Sequence, residues 1–227
     1  AAQAGVDIDM MTGIYSEHLC NLVREGEVPE ALVDEAVYGI LELKNRLGLF
    51  ENPCKDADEE KEKTVILCKE HRALAREAAR KSFVLLKNEE VLPLQKGRKT
   101  AFIGPYVDNR NMIGSWSIVG ETKDVTTLKE AVLERPEGEY ALFASGCPVL
   151  GGDLKLEGFS ESMEEQYSDE ECAAMLEEAV KKAAEADMVV LALGEHRLQS
   201  GEATSNANIQ IPSVQMELLE RVCAVND

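Results

Sequence analysis

Positive charge is what the sequence most lacks: 24 lysines and arginines stand against 43 aspartates and glutamates, a net charge of −19. A field of that sign repels a phosphate backbone or an anionic bilayer, which argues against nucleic acid and membrane as partners and leaves neutral or cationic ligands. Paired cysteines are lacking too. Cys20, Cys54, Cys68, Cys147, Cys172 and Cys223 lie far apart with no Cys-x-x-Cys spacing, so neither a zinc site nor a redox dithiol is expected. Several stand among apolar residues, as in TVILC and LLERVC, which is the setting of small buried hydrophobes; cysteines without a disulfide pattern tilt the expected compartment towards the cytoplasm. No apolar run approaches the roughly 20 residues that span a bilayer. Gly104-Pro105 with Gly114 and Gly120 is neither a GxGxxG nor a Walker loop, so a nucleotide-binding domain is not expected. The start, AAQAGVDIDMM, has no initiator methionine and no basic stretch, and the end stops just after a helical pattern; both termini read as cuts through a longer protein.

What is present is enough apolar material, 44% of residues, for one core and part of a second. A helix is expected from Ser16 to the stop at Gly26, and a second from Pro29 to Gly48 with Leu32, Val33, Ala36, Val37, Ile40, Leu41 and Leu47 on one stripe. The two are expected to pair. Residues 51–63, ENPCKDADEEKEK, lose periodicity to charge and mark a boundary. A long helix through LCKEHRALAREAARKS then runs into FVLLKN, whose continuous apolar character suits a buried strand. Beyond it, strands at TAFIG, YALFASG and DMVVLALG alternate with helices at TLKEAVLE, SDEECAAMLEEAVKKAAEA and SVQMELLERVCAV, the second of these opened by a Ser168–Glu171 capping box. Alternation of this kind predicts an α/β fold with a parallel, doubly wound sheet.

In such sheets ligands gather at the carboxyl ends of the strands. Three loops are expected there: residues 104–124 after the first strand, 146–160 after the second, and GEHRLQSGEATSNANIQIP, residues 194–212, after the third. The last carries Glu195, His196 and Glu202. Composition alone makes Glu202 a solvated acid; beside Ser200, Gly201 and Ser205 on a strand-end loop, a drying cleft would make it a general acid. Trp116, between Ser115 and Ser117, is either a lid over the sheet edge or a flat surface on which a sugar ring stacks, with serine hydroxyls to hydrogen-bond it. Asp7 and Asp9 alternate with Val6 and Ile8 at strand-like spacing.

Taken in order, AGVDIDMM, LVREGEVPEALVDEAVYGILELKNRLGLFENP, HRALAREAARKSFVLLKNEEVLPL, TAFIGP, GSWSIVG and VVLALGE…SGEATSNANIQIPSVQMELLERV resemble the central part of glycoside hydrolase family 3, the β-glucosidase-like enzymes. The resemblance implies a (β/α)8-type barrel followed by an α/β sandwich, with the active site between them. Residues 1–50 would then be the last strand and closing helices of the barrel, 51–70 a charged linker, and 71–227 the first part of an incomplete parallel-sheet sandwich. It implies a retaining exo-acting β-glycosidase that works on a small oligosaccharide or β-glucoside, needs no cofactor or metal, and depends on the missing barrel of the same chain. Glu202 in SGEA matches the family's acid/base glutamate, and Ser117, with Trp116 beside it, matches a sugar-contacting serine. The nucleophilic aspartate of a Ser-Asp-Trp motif and the Lys-His sugar-binding pair have no counterpart here, so these residues alone are expected to be inactive, with the Glu202 loop exposed. Relatives commonly carry Ser-Arg-Ser/Thr-Asp where this chain has Ser205-Asn206-Ala207-Asn208. That departure motivates an alternative, a catalytically degenerate sugar-binding or structural homologue.

Overall fold

A computed structural model describes residues 1–227 except 56, 115, 118–119, 152–166, 200, 203–204, 206 and 227. The chain divides into two compact units, Ala1–Leu86 and Lys87–Asp227.

The first unit is helical. A π-turn at Tyr15–Leu19 continues into α1 (Cys20–Arg24), and α2 spans Glu30–Arg46. Gly26 and Gly48, at φ 77° and 67°, take the left-handed conformation that ends each helix where the sequence places its stop. Two shorter helices, α3 (Glu59–Val65) and α4 (Lys69–Ser82), follow. The sequence reading missed α3, because its charge hides the start signal: Asp58 caps it by accepting from the Glu60 and Lys61 amides at 3.0 and 2.9 Å. Within this unit Val28 is a buried hydrophobe, whereas Val37, Leu41 and Leu47 on the expected stripe of α2 stay exposed. FVLLKN is extended but belongs to no ladder, and Phe83, Val84, Leu85 and Leu86 all face water. A strand needs a neighbour to take its amides, and none lies beside it among the described residues. Asp9 does not act as a strand residue either. It accepts from the Thr12 hydroxyl and, at 3.0 Å, from the Tyr15 amide, so it braces the turn into the first helix; the Thr12 bond holds its carboxyl below the ordinary range.

The second unit is the α/β body. Strands β1 (Thr100–Ile103), β2 (Ala141–Ala144) and β3 (Met188–Leu191) form a parallel sheet in the order β2-β1-β3, with Ile103 level with Ala144 and Leu191. All four residues of the central strand are buried. Crossovers run through α5 (Leu128–Leu133) and α6 (Asp169–Ala184), and α7 (Ser213–Cys223) follows β3. The Ser168–Glu171 capping box opens α6 as expected, and a second box, Thr127–Glu130, opens α5. One sheet face presents Ala101 and Ile103 to Ala179 and Ala183 of α6 and Leu218 and Val222 of α7, all buried. The other parity carries Phe102, stacked on Phe143 of β2 with centroids 5.7 Å apart. Cys147 completes the core, and burial pushes its thiol up to about 12.

The strands approach most tightly at the end of β1. Gly104 has φ 130°, and a Cβ there would lie 2.3 Å from the Ala192 carbonyl oxygen. Gly104→Ala therefore combines backbone strain with a main-chain clash, and a loss of at least ~3 kcal/mol is expected. Urea denaturation checks this: the midpoint falls while the slope is unchanged. Cys147 gives a second test. Its thiol ionises with difficulty in the fold, so relative stability falls as pH climbs from the ordinary value of 9.0 towards about 12 and is unaffected below that window. At mildly alkaline pH iodoacetamide is expected to modify the exposed Cys20, Cys54 and Cys223 promptly and Cys147 only on unfolding, read by peptide mass mapping.

Candidate active site

The sheet order turns back at β1: one crossover leaves it for β2, and the next returns past it to β3. This reversal makes the carboxyl ends of β1 and β3 a switch point, which in open α/β sheets is where ligands bind. Glycine at position 104 lets the two strand ends touch. Past it the Tyr106 amide reaches the Ala192 carbonyl at 3.4 Å, and the Tyr106 hydroxyl donates to the Glu195 carbonyl. The loop after β1 is thereby tied to the root of the loop after β3.

The β3 loop begins as a stitched turn. The His196 amide donates to Gln199 Oε1 at 2.6 Å, the Gln199 amide returns to the His196 carbonyl at 2.9 Å, and the Leu198 amide donates to His196 Nδ1 at 3.2 Å. His196 is buried at 4% exposure, so it and Glu195 brace the loop root. Gly194 is held by Gln215 of α7, whose Oε1 accepts from the Gly194 amide at 2.9 Å. Gly201, at φ 128°, is exposed. Glu202 is exposed there, and no hydrogen bond or ion pair of the described residues engages it. Ser200 and Asn206 lie outside the described residues.

The loop after β1 is folded around two ion pairs. Asp108 accepts from Lys129 Nζ at 2.7 Å and from the Thr127 hydroxyl at 3.1 Å, and the Lys129 bond, with Thr127 adding to it, holds its carboxyl below the ordinary range. Arg110 pairs with Glu130 and donates to the Val125 carbonyl at 2.6 Å. These contacts return the loop to the first turn of α5. At its crest Trp116 is 69% exposed, whereas Ser117 is half-buried with its hydroxyl donated to the Gly114 carbonyl at 2.8 Å. Ser115 lies outside the described residues.

Glu202, Ser117 and Trp116 thus sit on loops that leave the same sheet edge, after β3 and β1, and no contact among the described residues joins the glutamate to the other two. A cavity of about 660 Å3 opens along that edge between the loops after β1 and β2, lined by Pro105, Asp108, Lys129, Ser145, Cys147 and Tyr167 among others; Glu202 does not line it. Among the described residues no group of three His, Cys, Asp or Glu side chains is placed to hold a metal ion, and no helix is long and apolar enough to cross a membrane. Sequence reasoning overlooked the residues that fix the loops, Tyr106, Gln199 and Gln215. Only Gln215 left a trace, as a lone amide on the Leu218 and Val222 stripe of α7.

Known proteins are similar to this chain in sequence and fold. Residues 83–227 match the glycosyl hydrolase family 3 C-terminal domain. The chain is 37% identical over 227 residues to a periplasmic β-glucosidase of Salmonella typhimurium, covering 96% of this chain and 30% of that protein. It is 32% identical over 231 residues to a probable β-D-xylosidase 6 of Arabidopsis thaliana, covering 100% and 26%. The crystal structure of a β-glucosidase from Listeria innocua in complex with isofagomine superposes with a TM-score of 0.80 at 35% identity, over 99% of this chain and 28% of that one. The chain spans under a third of the length of these relatives. With its parallel sheet in the order β2-β1-β3 and its family match running from Phe83 to the last residue, the chain belongs to glycoside hydrolase family 3.

Proposed function

We propose that this chain forms the central portion of a retaining exo-acting β-glycosidase that removes terminal β-linked sugars from small oligosaccharides or β-glucosides, and that Glu202 is its acid/base residue. The observation that carries the proposal is Glu202 itself: an exposed carboxyl, engaged by no hydrogen bond or ion pair among the described residues, on the loop leaving β3 at the switch point and inside the family match. The β-glucosidase and β-xylosidase relatives support the substrate class. On this reading residues 1–50 close the barrel, 51–70 connect, and 71–227 open the sandwich domain.

The chemistry needs two carboxylates about 5 Å apart: one attacks the anomeric carbon while the other protonates the departing oxygen and then deprotonates water. Glu202 supplies the second, and an aspartate from the barrel supplies the first. In water a glutamate is a poor proton donor at neutral pH. A sugar bound against the β3 loop would exclude water from around the Glu202 carboxyl, the setting in which such a group serves as a general acid. Trp116, with its ring held out into solvent, would stack on a sugar face, and Ser117 at the same crest would offer its hydroxyl. No step calls for a cofactor or metal.

The test is kcat/KM of the full-length polypeptide carrying this chain on aryl β-glucosides of graded leaving-group ability. Glu202→Ala is expected to lower it by about 10²- to 10⁴-fold for phenyl glucosides and far less for dinitrophenyl glucosides, which depart without a proton. Parental rates on the phenyl substrates would rule out Glu202. Trp116→Ala should raise KM by about tenfold with kcat less affected, as expected when binding shared by ground and transition states is removed.

A further inference from the structure

Gln215 is a polar side chain in an apolar place. It stands in the first turn of α7, on the same stripe as Leu218 and Val222, and is 0% exposed. Burying a primary amide is unfavourable unless its groups are satisfied, and here they are. Oε1 accepts from the Gly194 amide at 2.9 Å, while Nε2 donates to the Gly194 carbonyl at 2.9 Å and to the Val149 carbonyl at 2.7 Å. Gly194 begins the loop that carries Glu202. Val149 belongs to the loop leaving β2, so the amide grips two strand-end loops at once. A residue serving only to fill this space would be leucine or methionine. Three bonds aimed at the backbone of two loops do something else: they fix one loop relative to the other.

We infer that Gln215 is a positioning residue for the acid/base step, setting where the loop that bears Glu202 leaves the sheet; this rests on the assignment of Glu202 above. The stitched turn at His196–Gln199 and the Tyr106 hydroxyl on the Glu195 carbonyl extend that placement outward from Gly194. Proton donation to a leaving oxygen tolerates little displacement, because a misplacement of about 1 Å can cost on the order of 10²-fold in rate.

The experiment measures kcat/KM of the full-length polypeptide on phenyl and dinitrophenyl β-glucosides for Gln215→Met, Gln215→Glu, Glu202→Ala and the Gln215→Met, Glu202→Ala double variant. Gln215→Met keeps the volume and apolar packing but removes all three bonds. It is expected to lose about tenfold or more on the phenyl glucoside and under about threefold on the dinitrophenyl glucoside, because the loss falls on the step that needs a placed acid. Gln215→Glu, which as a buried acid keeps a donor and an acceptor, should fall between parent and Gln215→Met. The double variant should be no slower than Glu202→Ala alone. Hydrogen exchange at the Gly194 amide should quicken in Gln215→Met, a readout independent of chemistry. Equal losses on both substrates, or parental rates on both, overturn the positioning role. If Glu202→Ala keeps parental rates on the phenyl glucoside while Gly194 exchange still quickens in Gln215→Met, the Glu202 assignment has failed and the inference falls with it.

Discussion

A peptide carbonyl, that of Ala192, occupies the space where any side-chain carbon at position 104 would have to go. This contact between the ends of β1 and β3 is the constraint on which the rest of the α/β unit depends. It lets the central strand sit in register with both neighbours, and it brings the loop after β1 against the root of the loop after β3. The core shows the same economy of volume. Ala179 and Ala183 let α6 lie close on Ala101 and Ile103, and a Cβ at Gly146 would strike Leu218 at 2.7 Å. Small residues keep the layers close, and the strand ends are aligned as a result.

From that edge the loops divide their labour. Their roots are fixed: Gln215 and Tyr106 hold the β3 loop, and the Asp108–Lys129 and Arg110–Glu130 pairs hold the β1 loop on α5. Beyond those roots, Trp116 and Glu202 are exposed. Fixed roots with exposed side chains beyond them suit the proposed site, since among the described residues no hydrogen bond or ion pair engages Glu202. The first unit shows the same lack of cover in its apolar residues, from Val37 and Leu41 on α2 to Phe83–Leu86.

Much of this was legible in the sequence where the signal is local. The three strands, the helices between them and the Ser168–Glu171 box follow from periodicity and capping chemistry, and the loops that carry Glu202 and Trp116 follow from the alternation. Signals that depend on distant partners were not legible. FVLLKN has the composition of a strand but no described neighbour to pair with, and α3 disappeared into a charge run whose cap, Asp58, looks like one more acid. Gln215 reads as an ordinary helix residue because its partners are backbone atoms of residues 149 and 194, which composition cannot reveal. Glu202 stood out from the other acids of its loop only through family resemblance.

The central claim is that Glu202 delivers and retrieves a proton at the glycosidic centre, and small-anion rescue of Glu202→Gly in the full-length polypeptide tests it most directly. Azide fits the space vacated by the carboxyl and needs no general base to attack the glycosyl intermediate, expelling the enzyme's carboxylate as the new carbon–nitrogen bond forms. The account predicts that azide accelerates turnover of dinitrophenyl β-glucoside by the variant and yields the β-glucosyl azide. No acceleration, or an α-configured azide, would contradict it.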